Sequence, residues 1–253
     1  MDKAATTPVL LREDCGDGVE LLRINRPQVR NALNLELRRA LAVAFSEAGS
    51  SSATRCIVLT GDAKAFCAGA DLREYVDAEP LEIISRQMDR LWGAISECPT
   101  PIVAAVNGHA IGGGCELAMH ADIIVAGESA RFGQPEVRIG LVPGGGATQR
   151  LTRSVGKFAA MKLMLTGGAI PAAEARALGL VSEVVPDDQV LPRAIALARE
   201  IAALPALAVR QTKELILASM NVPLAEGLRL ERKAFQLMFS APEKQELMRA
   251  FLK

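Results

Sequence analysis

An α/β fold is predicted by three features of the sequence. Short apolar runs at residues 19–24, 56–60 and 102–106 read as strands. Segments with helical period lie between them, as expected of alternating layers. After Pro143 the strand signals nearly vanish and helical patterns take over.

The elements follow in order. Residues 19–24 come after the turn signal Asp14-Cys15-Gly16-Asp17-Gly18 and form the second strand of a hairpin, whose first strand is near 9–12. Asn25-Arg26-Pro27 ends it. Leu33, Leu37, Leu41, Ala44, Phe45 and Ala48 recur at helical spacing, giving an amphipathic helix of about four turns. Residues 56–60 form a short strand that stops at Gly61-Asp62. Residues 81–95 are expected as one helix, stopped by Pro99 and Pro101. A buried strand at 102–106 turns at Asn107-Gly108, and a glycine loop then opens a short helix before a strand at 122–126. Helices are expected at 148–165, 172–178, 188–203, 206–220 and 223–239, with one brief strand near 181–185. No sequence repeat or low-complexity segment interrupts the chain.

Bulk properties narrow the function. With 253 residues, half of them hydrophobic, the chain can bury a full core. Its 29 basic and 29 acidic residues cancel, and 4% are aromatic, which argues against a broad nucleic-acid surface or an anionic-membrane partner. Five scattered cysteines without a C-x-x-C pair read as reduced thiols of a cytoplasmic protein. The start of the chain lacks a signal-peptide pattern, and no apolar run approaches the roughly 18 residues of a membrane span.

Three glycine-rich segments carry the polar candidates: 65–72, 112–118 and 132–136. Gly112-Gly113-Gly114 follows a strand and opens a helix, where unpaired backbone N–H groups favour negative charge. The guest there is a phosphate or another anion; tight helix–strand packing is the plainer alternative. The dinucleotide fingerprint fails twice, with Leu117 and Gln149 at its last glycine, and no P-loop occurs. Glu116 lies one turn into an apolar helix on the face of Gly113, as a reacting group or as a cap or ion-pair partner. Glu136, stiffened by Pro135, is either functional or an ordinary loop acid. Glu116 and His120 share a helix face, but further metal ligands at suitable spacing are missing, so no metal is expected. No G-x-S-x-G occurs, and Cys115 lacks an evident His partner, so neither a serine hydrolase nor a thiol nucleophile is favoured.

The motifs Ala68-Gly69-Ala70-Asp71-Leu72, Ile102-Val103-Ala104-Ala105-Val106-Asn107-Gly108, Gly112-Gly113-Gly114-Cys115-Glu116-Leu117-Ala118 and Phe132-Gly133-Gln134-Pro135-Glu136 resemble the crotonase superfamily, and most of all its enoyl-CoA hydratase branch. Asn25-Arg26-Pro27, Arg30-Asn31-Ala32-Leu33-Asn34, Thr148-Gln149-Arg150-Leu151 and Ala177-Leu178-Gly179-Leu180-Val181 fit as well, so the likeness spans nearly the whole chain. The resemblance implies a crotonase-like core of repeated strand–strand–helix units over 1–195 and a C-terminal helical region over 196–253. That region builds a homotrimer or, by pairing trimers, a homohexamer. It implies an oxyanion hole from the N–H groups of Ala70 and Gly113, catalytic Glu116 and Glu136, and CoA contacts along Arg30, Ala32, Leu33, Ala68, Asp71 and Leu72. No cofactor is implied beyond the coenzyme A that the substrate carries. Two glutamates favour hydration of a 2-enoyl-CoA over isomerase or other lyase chemistry, which remain the alternatives.

The sequence departs from the family pattern at Ala147, after Gly144-Gly145-Gly146, and at Leu247. It ends at Lys253, where many relatives carry a basic tail over the CoA nucleotide. Arg73, Tyr75 and Arg138 border segments that line the acyl pocket in relatives. They are either surface groups or selectors of an acyl chain with a second carboxylate, as in dehydroadipyl-CoA hydratases.

Overall fold

The structure is a computed structural model and describes residues 7–252; Lys253 lies outside them. Strands β1 (Leu10–Asp14) and β2 (Val19–Ile24) form the expected antiparallel hairpin, with Leu10 opposite Ile24. A 3-10 turn at Pro27–Val29 leads to α1 (Leu35–Ser50), which starts where Asn34 Oδ1 accepts the Leu37 N–H at 3.0 Å.

Three strand–strand–helix units follow, as the resemblance implies. The first strands, β3 (Cys56–Thr60), β5 (Ile102–Val106) and β7 (Ile123–Gly127), lie side by side and parallel. The second strands, β4 (Ala65–Cys67), β6 (His109–Ile111) and β8 (Arg131–Gly133), run parallel in a separate small sheet. After β4 come α2 (Pro80–Ser85) and α3 (Met88–Ser96); after β6, α4 (Gly113–Met119); after β8, a 3-10 turn at Glu136–Ile139 and α5 (Ala147–Thr166). The short second strands are absent from the strand pattern read from sequence, where three residues cannot show alternation. The helix expected over 81–95 is two helices, because Gln87 takes a left-handed φ of 51°. Helix α5 likewise breaks its helical geometry at Gly156.

The chain continues through β9 (Ala169–Pro171), α6 (Ala172–Ala177), β10 (Glu183–Val185) and α7 (Val190–Ala202). The large sheet has the order β1-β2-β3-β5-β7-β10 and the small one β4-β6-β8-β9. Strands β3 and β5 are buried on both faces, which is why they read as unbroken apolar runs. Ile57, Leu59, Ile102 and Ala104 face Leu37, Leu41 and Phe45 of α1 in the main core. Cys56, Val58, Val103 and Ala105 face Val190, Ala194, Ala198 and Ala202 of α7. The alanines recur every four residues, so α7 lays a flat stripe on the sheet. Residue 195, the expected domain boundary, therefore falls inside a helix that belongs with the core.

Helices α8 (Ala206–Ser219), α9 (Leu224–Leu237) and α10 (Lys244–Phe251) complete the C-terminal region; α10 was not among the expected helices. Of their residues only Ala234 is buried. Lys213 tethers α8 to the core, pairing with Asp122 at 2.8 Å and donating to the Thr100 carbonyl at 3.0 Å.

Candidate active site

The site begins where the loop before α1 crosses the loop after β4. Arg30 and Asn31 take left-handed φ values of 50° and 59°. Buried Asn31 stabilises this turn: its Oδ1 accepts the Arg26 N–H at 2.9 Å and its Nδ2 donates to the Ala65 carbonyl at 2.8 Å. The two loops then pair. Ala68 N–H donates to Arg30 O at 3.0 Å, Leu33 N–H to Gly69 O at 2.7 Å and Asp71 N–H to Leu33 O at 3.0 Å. This parallel bridge of Leu33 with Ala70 uses the groups on either side of Ala70 and leaves the Ala70 N–H without a backbone acceptor among the described residues.

Arg26 reinforces the crossing by donating to the Ala32 carbonyl and to Asp71 at 3.1 Å. Asp71 also takes two bonds from Arg73, each 2.8 Å. Arg73, then Arg26, holds the Asp71 carboxyl down at about 2 against the opposing effect of burial. Of the expected CoA contacts, Arg30 and Leu72 are exposed and Ala68 is half-buried, whereas Ala32, Leu33 and Asp71 are buried.

Helix α4 starts directly opposite. Gly112 N–H is tied to the Gly133 carbonyl at 2.8 Å, and the chain then turns into Gly113. A Cβ placed on Gly113 would stand 3.5 Å from the Ala70 nitrogen, so the two expected oxyanion donors are neighbours. The Gly113 N–H also has no backbone acceptor among the described residues. Both N–H groups are thus close together and without a backbone acceptor, as a pair of oxyanion donors must be.

The two glutamates converge on the same corner. Glu116 is 3% exposed, and its Oε1 accepts the N–H groups of Gly145 at 2.7 Å and Ala147 at 3.0 Å. Burial raises its pKa; these two bonds and the charge of Arg38 oppose the rise. Glu136 is half-buried, with Oε1 2.8 Å from the position a Cβ on Gly112 would take. Its pKa is raised by burial and, further, by the charge of Glu116. One end of the buried Gln134 amide lies 3.1 and 3.2 Å from the Glu136 oxygens, and its Nε2 is 3.4 Å from the Gly112 carbonyl in the alternative orientation. An amide serves either protonation state, giving N–H to a carboxylate or C=O to the proton of an acid.

Residues 14–253 match the family model described as enoyl-CoA hydratase/isomerase. The chain belongs to the enoyl-CoA hydratase/isomerase family. It is 43% identical over 234 residues to the mitochondrial enoyl-CoA hydratase of Pongo abelii, covering 92% of this chain and 81% of that one. It is 42% identical to the 2,3-dehydroadipyl-CoA hydratase of Escherichia coli K12, covering 92% of both. The solved enoyl-CoA hydratase subunit I from Geobacillus kaustophilus HTA426 superposes with a TM-score of 0.94 at 38% identity, covering 96% of this chain and 95% of that one.

Around this family's motifs the structure adds four residues that the sequence reading did not assign to the reaction site: Arg38, Trp92, His120 and Gly145. Gly145 gives its N–H to Glu116, and its carbonyl lies 3.1 Å from His120 Nε2. Burial pushes the His120 pKa down to about 3, so the ring is neutral and Nε2–H donates. The ring stacks on Trp92 with centroids 4.8 Å apart. Glu116 and His120 do share a face, and both contact the backbone of Gly145; no cluster of three or more His, Cys, Asp or Glu that could hold a metal occurs among the described residues. Cys115 is fully buried and its thiol is pushed up to about 12, which suits packing and not nucleophilic attack. The three residues expected as surface groups or acyl selectors make other contacts. Arg73 is bound to Asp71, Arg138 donates to the Thr166 carbonyl, and the Tyr75 ring is covered by Arg86. Among the described residues no helix is long and apolar enough to cross a membrane.

Proposed function

We propose that this chain catalyses the reversible syn addition of water across the 2,3 double bond of a trans-2-enoyl-CoA, giving a 3-hydroxyacyl-CoA. The observation that carries this reading is the convergence of Glu116 and Glu136 on the corner where the Ala70 and Gly113 N–H groups are unpaired. With the thioester oxygen between those donors, C3 becomes electrophilic. Negative charge then grows on the oxygen, where each fixed donor contributes about 3 kcal/mol.

Glu116 takes a proton from the water that attacks C3, and Glu136 supplies a proton to C2. The reaction consumes water alone, so the substrate's own CoA is the only cofactor moiety required. Burial raises the pKa of both carboxyls; the two backbone N–H donors oppose the rise at Glu116, whereas the charge of Glu116 adds to it at Glu136, which supports a division into base and acid. The paired loops at 30–33 and 68–72 carry the CoA moiety along their exposed edge.

The same reading makes the chain a cytoplasmic subunit of a homotrimer or a homohexamer. Five cysteines without a disulfide and apolar side chains on the surface of α8–α10 support it.

Glu136→Gln tests the assignment. Hydration of crotonyl-CoA, followed by the loss of enoyl-thioester absorbance, is expected to fall roughly 10²- to 10⁴-fold while acyl-CoA binding persists. Turnover close to that of the parent would remove Glu136 from the mechanism.

A further inference from the structure

Arg38 forms no hydrogen bond to either glutamate among the described residues, yet its guanidinium lies at the site. It occupies the first turn of α1 and is only 8% exposed. Its guanidinium carbon is 5.1 Å from the centroid of the Trp92 ring. Its Nη2 is 3.7 Å from the position a Cβ on Gly113 would take, beside the oxyanion donors. Among the described residues the guanidinium makes no ion pair and no hydrogen bond, and its buried Nε has no partner.

The other deeply buried cations are paired. Arg26 bonds Ala32 O and Asp71, Lys213 bonds Asp122, and Arg86 bonds Glu82. Arginine does not shed its proton to escape burial, so an unpaired guanidinium calls for an anion.

We propose that Arg38 binds a carboxylate carried by the acyl group, so that the preferred substrates are CoA monothioesters of short unsaturated dicarboxylic acids. This rests on the hydration reading for the identity of the thioester. The planar guanidinium fork matches a carboxylate through two parallel N–H bonds. Glu116 is near enough for the charge of Arg38 to act on it, but the two form no ion pair among the described residues, and its Oε1 already accepts two backbone N–H groups. The thioester oxygen has its own two donors. Arg38, seated on Trp92, has its Nη2 beside the Gly113 donor, within reach of an acyl chain held at Ala70 and Gly113. The closeness of Nη2 to Gly113 restricts the second carboxylate to a few bonds from the thioester.

The experiment compares kcat/KM for glutaconyl-CoA and 2-pentenoyl-CoA, and for 2,3-dehydroadipyl-CoA and 2-hexenoyl-CoA, in the parent, Arg38→Met and Arg38→Lys. Calorimetric binding of glutaryl-CoA and pentanoyl-CoA accompanies it. In the parent the carboxylated partner of at least one pair is favoured about tenfold or more. That ratio falls to about one in Arg38→Met and to an intermediate value in Arg38→Lys, which keeps the charge and loses the fork.

A parent ratio near one in both pairs overturns the proposal, whatever the variants do. So does a ratio that Arg38→Met leaves unchanged, or an equal loss for charged and neutral substrates, which would assign Arg38 to Glu116 or to the oxyanion. If no enoyl-CoA is hydrated but glutaryl-CoA binding depends on Arg38, the hydration reading fails and the Arg38 assignment stands. If neutral enoyl-CoAs are hydrated and charge is ignored, the reverse holds.

Discussion

At Gly145 one residue joins three side chains of the site. Its N–H supports Glu116, its carbonyl receives His120, and a Cβ there would stand 2.7 Å from Trp92 and 2.8 Å from Glu116 Oε2. Only the hydrogen of glycine lets the loop approach this closely, and that approach is what buries the Glu116 carboxyl. Burial has a consequence for stability. Glu116 has its folded-state pKa raised above the ordinary 4.5. Below that value both folded and unfolded chains carry the proton and the group contributes no pH dependence. From there up to the raised folded value, the unfolded chain releases its proton while the folded chain retains it, so rising pH removes stability. Glu116→Gln keeps an Oε1 for the Gly145 and Ala147 N–H groups and abolishes this titration. Its melting temperature relative to the parent is therefore expected to rise as the pH climbs from about 4.5 toward the raised folded-state value. Differential scanning fluorimetry across that range checks it, and a difference that is flat or falls with pH contradicts the burial account.

At the scale of the elements, α4 has little freedom to move. A Cβ on Gly114 would be 1.9 Å from the Cys67 carbonyl oxygen, so the helix lies directly against β4, and that contact sets Gly113 beside Ala70. Gly114→Ala must lift the helix from β4 and is expected to cost about 3 kcal/mol or more in urea unfolding, with hydration lost as the two donors separate. A variant of parental stability and turnover would show that α4 has room to move. The first strand of each unit was legible from sequence because β3, β5 and β7 are buried runs of five residues, ended by a turn or a polar residue. Their partners β4, β6 and β8 were not, since Ala-Phe-Cys, His-Ala-Ile and Arg-Phe-Gly are strands only by virtue of one another. The break at Gln87 carries no proline or glycine to announce it. The site divides in the same way. Gly113, Glu116 and Glu136 lie in local glycine-rich motifs, whereas Arg38, Trp92, His120 and Gly145 belong to four separate elements or loops and meet only through tertiary packing.

At the scale of the whole molecule, the C-terminal helices pose the remaining physical problem. Helices α8 and α10 bury no residue and α9 buries one, yet Leu224, Leu228, Phe235, Leu237 and Phe251 all lie on their surfaces. Phe158 and Leu165 of α5 are similarly exposed. Apolar surface on this scale marks an interaction face, and a chain whose charges cancel has no net repulsion to keep copies apart. Phe235 packs edge-to-face at 5.2 Å on Phe239 of the 3-10 turn that follows α9, making a ridge at the end of the helix that another subunit can cover. Under the proposed assembly, light scattering of the purified protein gives the mass of three or six chains. Phe235→Glu places a charge in the buried contact and shifts that mass toward one chain, while far-ultraviolet circular dichroism retains the helical signal. A parent that scatters as a single chain at micromolar concentration would exclude the trimer. A Phe235→Glu variant with unchanged mass would move the interface off α9, leaving the exposed residues of α5 as the next surface to alter.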